Sequence, residues 1–378
     1  MEAMEQEAEK IPATVVTALA RAVGGRGLEN RLFRGALTPV AFGDAQAELR
    51  AAFTGAIVHD LGWRRRIEVT GEDRLRWLGG MVTNHVAGLA ENTSNDNLVL
   101  NAQGRIQGNC CVRRGAGMSL DLEMDEEQRP GLTEHLERFI IMDDVELKLR
   151  EGWTALGVAG PQAEAILQRV LTTDVASMQP GACQRTALRG VGTAEIDVEI
   201  RRETGRQSSH WELWCREENV GTVWRVLEDS GAQPVGCQTV EQMRIVEGVP
   251  AYGVDFGADT LPQEAGMDET LHFSKGCYLG QEIVERIHSR GQVHRHVRRI
   301  ELIPVEHAPV AGMKLCRVDQ PEKPVAKVTS VACVNLLGEQ RWYALGMVRA
   351  EAEMAELQYL GGRARVLRSD AASMSRSR

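Results

Sequence analysis

The spacing of strand and turn signals changes near residue 297, and this change indicates that a mixed α and β part is followed by an all-β part. Before it, strand-like and helix-like segments alternate: residues 66–69 have the two-residue period of a half-buried strand, and residues 161–171 have helical spacing with proline first. After it, short strand-like segments are separated by turn residues such as Gly312 and Pro324. The pattern predicts an α+β protein that ends in a small antiparallel β-barrel.

The same pattern predicts four regions along the chain. Strands and helices occur in two passes within residues 38–290, which indicates two interleaved α+β units. Residues 1–37 are predicted to form a helical or loosely ordered extension, residues 291–368 the barrel, and residues 369–378 a disordered tail. Because only 4% of the residues are aromatic, the cores should consist mainly of Leu, Ile, Val, Ala and Met.

Charge and hydropathy argue against nucleic acid and membranes as direct partners. The net charge is −9, which opposes general adhesion to polyanions. No segment approaches the roughly 20 apolar residues of a membrane helix. The basic run Arg64-Arg65-Arg66 is therefore interpreted as a solvated face or a strand edge.

The cysteines and the N-terminus favour the cytoplasm. The chain has 8 cysteines without a C-x-x-C pair, which is typical of reduced thiols rather than of a disulfide framework. Residues 1–10 contain four Glu and do not resemble a secretory signal. Cys110 and Cys111 are interpreted as neighbouring residues of one strand.

Cys277 is the residue with the clearest chemical signal. It is predicted to lie where a helix begins, so the free amides and the positive end of the helix dipole would favour its thiolate. Lys275 would add a nearby cation, and such surroundings lower the pKa of a thiol and make it a nucleophile or redox group. The alternative is that Cys277 is a small residue chosen for close packing.

One segment around this cysteine resembles a known family. The run KGCYLGQE (275–282), preceded by EQMRIVEGVPAYG and LPQE, resembles the signature of the YgfZ family of folate-binding proteins. Over residues 50–366 the wider resemblance is to the glycine-cleavage T-protein, an aminomethyltransferase; LNAQGRI and GVAGPQAEAIL match in the same order. The resemblance implies a T-protein-like three-domain ring that binds tetrahydrofolate or a derivative near a central channel.

The resemblance also implies which residues form the site. Lys275 and Cys277 would carry the chemistry, and the positions that match the folate-binding motifs are Arg244, Glu247, Tyr252, Thr83, Asn84, Gln281 and Glu282. Two alternatives stay open here. Arg244 could be a surface residue of a helix, and Thr83-Asn84 could simply end a helix.

Two departures from the T-protein pattern argue against aminomethyl transfer. The hairpin has Gly108 and Asn109 where active T-proteins carry an acidic pair, one of which supports the reaction electrostatically. The stretch whose Glu holds the pterin is matched only by residues 203–206, which lack that carboxylate; Glu212 is a possible replacement. Folate binding tolerates these losses better than catalysis does.

The resemblance therefore predicts a tetrahydrofolate-binding factor that supports iron–sulfur cluster assembly or repair through Cys277. Its partners would be iron–sulfur client or assembly proteins, and the clients would include tRNA-modifying enzymes. The alternative is a folate-dependent one-carbon transferase. A metal site from Cys277, His288, His294 and His296 is disfavoured because the spacing fits no common zinc pattern. No nucleotide fingerprint or G-x-S-x-G elbow supports other enzyme classes.

Overall fold

The structure is a computed structural model that describes residues 14–189, 195–205, 208–336 and 339–367. Within these ranges the strands, numbered in chain order, are β1 (Val15–Val16), β2 (Asn30–Phe33), β3 (Ala36–Pro39), β4 (Ile57–Asp60), β5 (Arg64–Thr70), β6 (Thr93–Leu100), β7 (Ile106–Arg114), β8 (Leu120–Asp125), β9 (Glu146–Leu149), β10 (Trp153–Ala159), β11 (Cys183–Leu188), β12 (Ile196–Arg202), β13 (His210–Arg216), β14 (Gln233–Val235), β15 (Arg295–Pro304), β16 (Lys314–Arg317), β17 (Gln320–Leu336), β18 (Glu339–Arg349), β19 (Leu357–Tyr359) and β20 (Gly362–Val366). The α-helices are α1 (Ala18–Ala22), α2 (Ala45–Thr54), α3 (Arg74–Met81), α4 (Arg129–Glu137), α5 (Ala163–Val170), α6 (Val220–Asp229), α7 (Cys237–Glu247), α8 (Pro262–Ala265) and α9 (Gln281–Arg290).

The strands form three open sheets and a closed barrel. A five-stranded sheet has the order β6-β7-β8-β5-β9, and a six-stranded sheet has the order β11-β12-β13-β10-β4-β14. The chain enters the six-stranded sheet with β4, builds the whole five-stranded sheet, and returns with β10. The barrel, β15-β18-β17-β16-β19-β20, closes by pairing of β15 with β20. The predicted α+β class and the C-terminal antiparallel barrel are confirmed.

Each large sheet has an apolar face covered by helices, as strand alternation requires. On the five-stranded sheet, Ile67 and Leu122 pack with Leu78 of α3 and Leu136 of α4. On the six-stranded sheet, the apolar face packs against α1, α5 and α6, and Trp224 is the largest of the helix residues there. Cys110 and Cys111 are neighbouring buried residues of β7, which confirms that interpretation.

The polar faces of the two large sheets face each other and are buried. Arg66 of β5 is 1% exposed and pairs with Glu123 of β8 at 2.6 Å and with Glu199 of β12 across the interface. Burial alone would raise the pKa of Glu199, but Arg66 and Arg113 hold this pKa below its usual range. The interpretation of residues 64–66 as a solvated face or strand edge is therefore wrong, because their polar face is covered by a second polar sheet rather than by water.

The barrel is joined to the rest of the chain by an apolar cluster. Val297 and Leu345 of the barrel pack with Leu100 of β6, Val284 of α9 and Tyr278 of the preceding loop. Val284 is completely buried although α9 is otherwise largely polar. The segment that carries the family signature therefore lies between the five-stranded sheet and the barrel.

The N-terminal segment is more ordered than the sequence predicts. From residue 14 it forms α1 and the three-stranded sheet β1-β3-β2 instead of a helical or loose extension. Thr17, which caps α1, and Thr38 of β3 donate hydrogen bonds to the buried carboxylate of Asp60 at the end of β4, which fastens the segment to the six-stranded sheet. Residues 1–13 and the predicted tail, 369–378, lie outside the described residues. No helix in the described ranges is long and apolar enough to cross a membrane.

Candidate functional site

A cavity of about 170 Å³ lies where the polar faces of the two large sheets meet α7. Its wall combines residues of the N-terminal sheet, both large sheets, α7 and the loop that follows α7. The wall includes Arg34, His59, Trp63, Arg64, Asn109, Glu123, Asp125, Gln128, Glu203, His210, Glu241, Arg244 and Tyr252. Two of the residues predicted to bind folate, Arg244 and Tyr252, are among them.

Arg244 forms part of the wall and connects three elements. Its guanidinium donates hydrogen bonds to Glu241 on α7, to Asp255 Oδ2 at 2.6 Å and to Ser330 Oγ of β17 at 3.0 Å. It also donates to the Val249 carbonyl at 2.6 Å. The residue is 7% exposed, so the alternative of a surface arginine is wrong.

Tyr252 and Glu247 occupy different positions relative to the cavity. Tyr252 lines the wall, and its ring meets the Phe256 ring edge-on at a centroid distance of 5.8 Å. Glu247 lies behind the wall: its Oε1 accepts a hydrogen bond from Ser208 Oγ at 2.5 Å and is 3.0 Å from His210 Nε2. Glu247 therefore holds His210, which does line the cavity.

Thr83 and Asn84 fasten a loop instead of lining the cavity. Thr83 Oγ1 donates to the Thr270 carbonyl at 2.7 Å and accepts from the Leu98 amide at 2.9 Å. Asn84 Nδ2 donates to the Glu269 carbonyl at 3.1 Å. Both residues follow the end of α3, and both connect it to residues 267–272.

Lys275 is bound to backbone rather than directed to a thiolate. Its Nζ donates to the carbonyls of Gly79, Val82 and Asn84 at 2.8, 2.5 and 2.8 Å, at the C-terminal end of α3, where carbonyls lack helical partners. Burial lowers the pKa of Lys275 to about 8. The ammonium also lies 4.9 Å from the centroid of the Tyr278 ring.

Cys277 lies in the loop before α9, outside the cavity wall. The helix begins at Gln281, after Gly280 in the left-handed region at φ 82°, so the expected position of Cys277 at the helix start is wrong. Gln281 Oε1 accepts a hydrogen bond from the Tyr278 amide at 3.2 Å, so the side chain of the first helix residue reaches back to the loop. Cys277 is the only exposed one of the eight cysteines, all of which fall in described ranges. Gln281 and Glu282 form the first turn of α9 and do not line the cavity.

The structure shows where the residues lie that depart from the T-protein pattern. Asn109 lines the cavity and is held by Gln128, whose Oε1 accepts from the Asn109 amide at 3.0 Å. Glu212 is fully buried and bound by Arg201 at 2.6 Å and by Arg64 at 2.9 Å. Burial would raise the pKa of Glu212, but these two arginines hold it below its usual range. Glu212 is not part of the cavity wall, so it does not replace the missing carboxylate.

Several wall residues were not predicted from the sequence. Glu203 lies in the wall, and Arg206 of the same stretch lies outside the described residues. His59, His210 and Asp125 were not singled out, although two-residue alternation along β8 places Asp125 on the same face as Glu123. Among the described residues, no group of three or more His, Cys, Asp or Glu side chains is arranged to hold a metal ion.

The chain is similar to aminomethyltransferases in sequence. Residues 27–275 match the model of the GCVT N-terminal domain. The chain is 28% identical to the aminomethyltransferase of Anoxybacillus flavithermus over 282 residues, which cover 72% of this chain and 74% of that protein. It is 24% identical to the aminomethyltransferase of Bacillus subtilis over 357 residues, covering 88% and 89%.

A solved structure shares the arrangement of all the units. The crystal structure of glycine cleavage system aminomethyltransferase T from Bartonella henselae superposes with a TM-score of 0.80 at 18% identity, covering 94% of this chain and 97% of that chain. This likeness confirms the predicted T-protein-like fold.

Proposed function

We propose that this chain, which belongs to the family of the GCVT N-terminal domain, binds tetrahydrofolate or a derivative in the central cavity and acts as a factor for iron–sulfur proteins. The observation that carries the folate proposal is the position of Arg244 and Tyr252. Both were assigned to folate binding from sequence motifs alone, and both belong to the wall of one cavity between the two sheets.

The wall has the chemistry that a folate needs. The aromatic rings of Tyr252 and Trp63 offer flat apolar surface, and Asn109 and Gln128 offer amide groups for the hydrogen-bonding edge of a pterin. Arg34 and Arg64, which are paired with Glu241 and Glu212, place guanidinium groups in the wall that also attract the carboxylates of the glutamate tail. These residues fit the cofactor without a metal ion.

The position of Cys277 supports action on another protein. Its thiol is exposed and lies outside the cavity wall, so it can meet a separate polypeptide while folate occupies the cavity. In this proposal the thiol acts on iron–sulfur client or assembly proteins, including enzymes that modify tRNA. The KGCYLGQE signature at 275–282 supports the YgfZ-type role.

A folate-dependent one-carbon transferase is the second candidate. The curated relatives that cover most of the chain are aminomethyltransferases. One observation in the cavity favours it as well: Asp125 places a carboxylate in the same wall as Asn109, which stands where the family's acidic pair is missing.

Anaerobic calorimetry tests the shared part of both candidates. Tetrahydrofolate is titrated into the wild type, into Tyr252→Ala, and into Tyr343→Ala, a barrel tyrosine outside the wall, as the control. We expect saturable binding that Tyr252→Ala weakens and Tyr343→Ala leaves unchanged. Absence of binding by the wild type would exclude a folate function.

A cellular assay separates the two candidates. Cys277→Ser should fail to restore iron–sulfur enzyme activity in a strain that lacks the protein, while its folate affinity stays that of the wild type. Full restoration by Cys277→Ser, together with turnover of an aminomethyl or methyl donor by the purified chain, would favour the transferase.

A further inference from the structure

Asp125 lies on the polar face of the five-stranded sheet, between two other wall residues. Its backbone lies directly opposite that of Arg64 on the neighbouring strand β5. The pairing of β7 with β8 ends where Cys111 lies opposite Glu123. Asn109 and Asp125 lie two residues beyond this pair on their two strands, and both line the cavity.

Asp125 differs from the other acidic residues of the wall because no hydrogen bond or salt bridge of the described chain holds its carboxylate, although it attracts the Arg64 guanidinium. Glu123 is paired with Arg66, and Glu241 is paired with Arg34 and Arg244. Glu203 is also engaged with the chain. Arg64, the cation nearest in register, directs its Nη1 to Glu212 at 2.9 Å. The Asp125 carboxylate is half-buried and thus remains available to a ligand in the cavity.

A carboxylate in such a wall accepts hydrogen bonds from the N–H groups of a neutral pterin, and it attracts a positively charged group more strongly. Away from bulk water its attraction to a cation is stronger than at the protein surface. The pterin and the aminobenzoyl group of a folate are neutral and the glutamate tail is negative. Positive charge arises in this class of ligand at the one-carbon bridge between N5 and N10, which is a cation in the methenyl form.

We propose that Asp125 determines the form of folate that the cavity prefers, namely one whose bridge between N5 and N10 carries positive charge. This inference rests on the proposed folate binding and adds the charge of the ligand to it. Asp125 lies on β8, next to β7, which carries the uncharged Gly108 and Asn109, so the carboxylate of this part of the wall is on β8 rather than on β7.

Calorimetry with two folates tests the inference. The cationic probe is 5,10-methenyltetrahydrofolate and the neutral one is 5-formyltetrahydrofolate, both at a mildly acidic pH at which the methenyl bridge is not hydrolysed. We expect the wild type to bind the methenyl form more tightly. Asp125→Asn should weaken methenyl binding about tenfold or more, the effect of losing one charged contact, and barely change formyl binding.

Glu127→Gln is the matched control, because it removes the same charge two residues further on, at an exposed position outside the wall. It should keep the preference for the cation. Equal affinity of the wild type for both folates, or an unchanged preference in Asp125→Asn, would overturn the role of Asp125 while folate binding stands. Binding of neither folate by the wild type would instead overturn the proposed function and this inference with it.

Discussion

Arg244 shows that a residue expected to bind a ligand also holds the fold together. Its guanidinium bonds α7, the loop that carries Asp255, and Ser330 of the barrel. Removing one partner of a buried ion pair leaves the other charge without compensation, which is more costly than losing the pair's attraction alone.

We expect Arg244→Ala to lower the free energy of unfolding by about 3–5 kcal/mol. Denaturant unfolding measures this change. Arg225→Ala is the control, because Arg225 is exposed and bonds only a carbonyl of its own helix; it should change stability by less than about 0.5 kcal/mol. A loss in Arg244→Ala no larger than in the control would show that Arg244 serves the ligand alone.

Cys277 should be the first cysteine to react with an alkylating reagent. Burial raises the pKa of Cys110 and of Cys215 to about 12, and it also raises the pKa of Cys111, Cys183 and Cys237. Cys277 is exposed, so its thiol meets the reagent without unfolding. Iodoacetamide labelling near neutral pH, followed by peptide mass spectrometry, gives the order of reaction. Faster labelling of any buried cysteine would contradict the structure.

Lys275 should make stability depend on pH in the alkaline range. Its pKa is about 8 in the folded chain against 10.5 as the ordinary value, so between these values the unfolded chain binds more protons. The contribution of Lys275 to stability therefore rises with pH across that window. Below the window, the folded chain bears the full cost of burying the charged amine. Urea unfolding across the window should show this rise in the wild type and in Lys323→Met, an exposed control, but not in Lys275→Met. The same slope in all three proteins would contradict the assignment.

At the scale of elements, the main feature is the charged layer between the two large sheets. Arg66 pairs with Glu123 and Glu199, and it stacks on the Trp214 ring with its Cζ 4.1 Å from the centroid. Such a layer is a weak source of net stability, but it penalises the loss of any single member. It also requires one alignment of the sheets, since sliding them would separate the pairs.

Arg66→Met should therefore destabilise the chain by about 3–5 kcal/mol, although methionine fills a similar volume. The comparison is Arg138→Met, which breaks the exposed pair of Arg138 with Glu134 on α4 and should cost less than about 1 kcal/mol. Equal effects of the two substitutions would mean that the layer is not desolvated as described.

Sequence alternation identified the strands but not what covers them. Residues 66–69 have the period of a half-buried strand, and they do form part of β5. The pattern cannot tell water from a second polar sheet, because both favour charged side chains on that face. The start of α9 was misplaced for a similar reason: Gly280 turns the chain at a positive φ, a feature that the run of residues before it does not reveal.

At the scale of the whole molecule, several units must meet before the cavity exists. Its wall takes residues from the N-terminal sheet, both large sheets and α7. That Arg244 and Tyr252 belong to one candidate site could be predicted from the motif that they share. Asp125 and His210 could not, because they come together only through strand register and long-range packing.

A ligand bound to such a wall should stabilise the entire fold. At a concentration one hundred times its Kd, tetrahydrofolate should raise the free energy of unfolding by about 2.7 kcal/mol. Thermal unfolding with and without the ligand measures the effect, and Tyr252→Ala should show less of it at the same concentration. Equal melting temperatures with and without tetrahydrofolate would argue against binding in the folded cavity.

The bonds between β17 and the loop after α7 have a genetic consequence. Thr329 and Ser330 donate to Asp255 Oδ1 at 2.5 and 2.7 Å, and Asp255 in turn holds Arg244. Alleles that alter these barrel hydroxyls would map far along the chain from the ligand motif. Their carriers should nevertheless show the phenotype of a defective pocket, and a richer folate supply should relieve it.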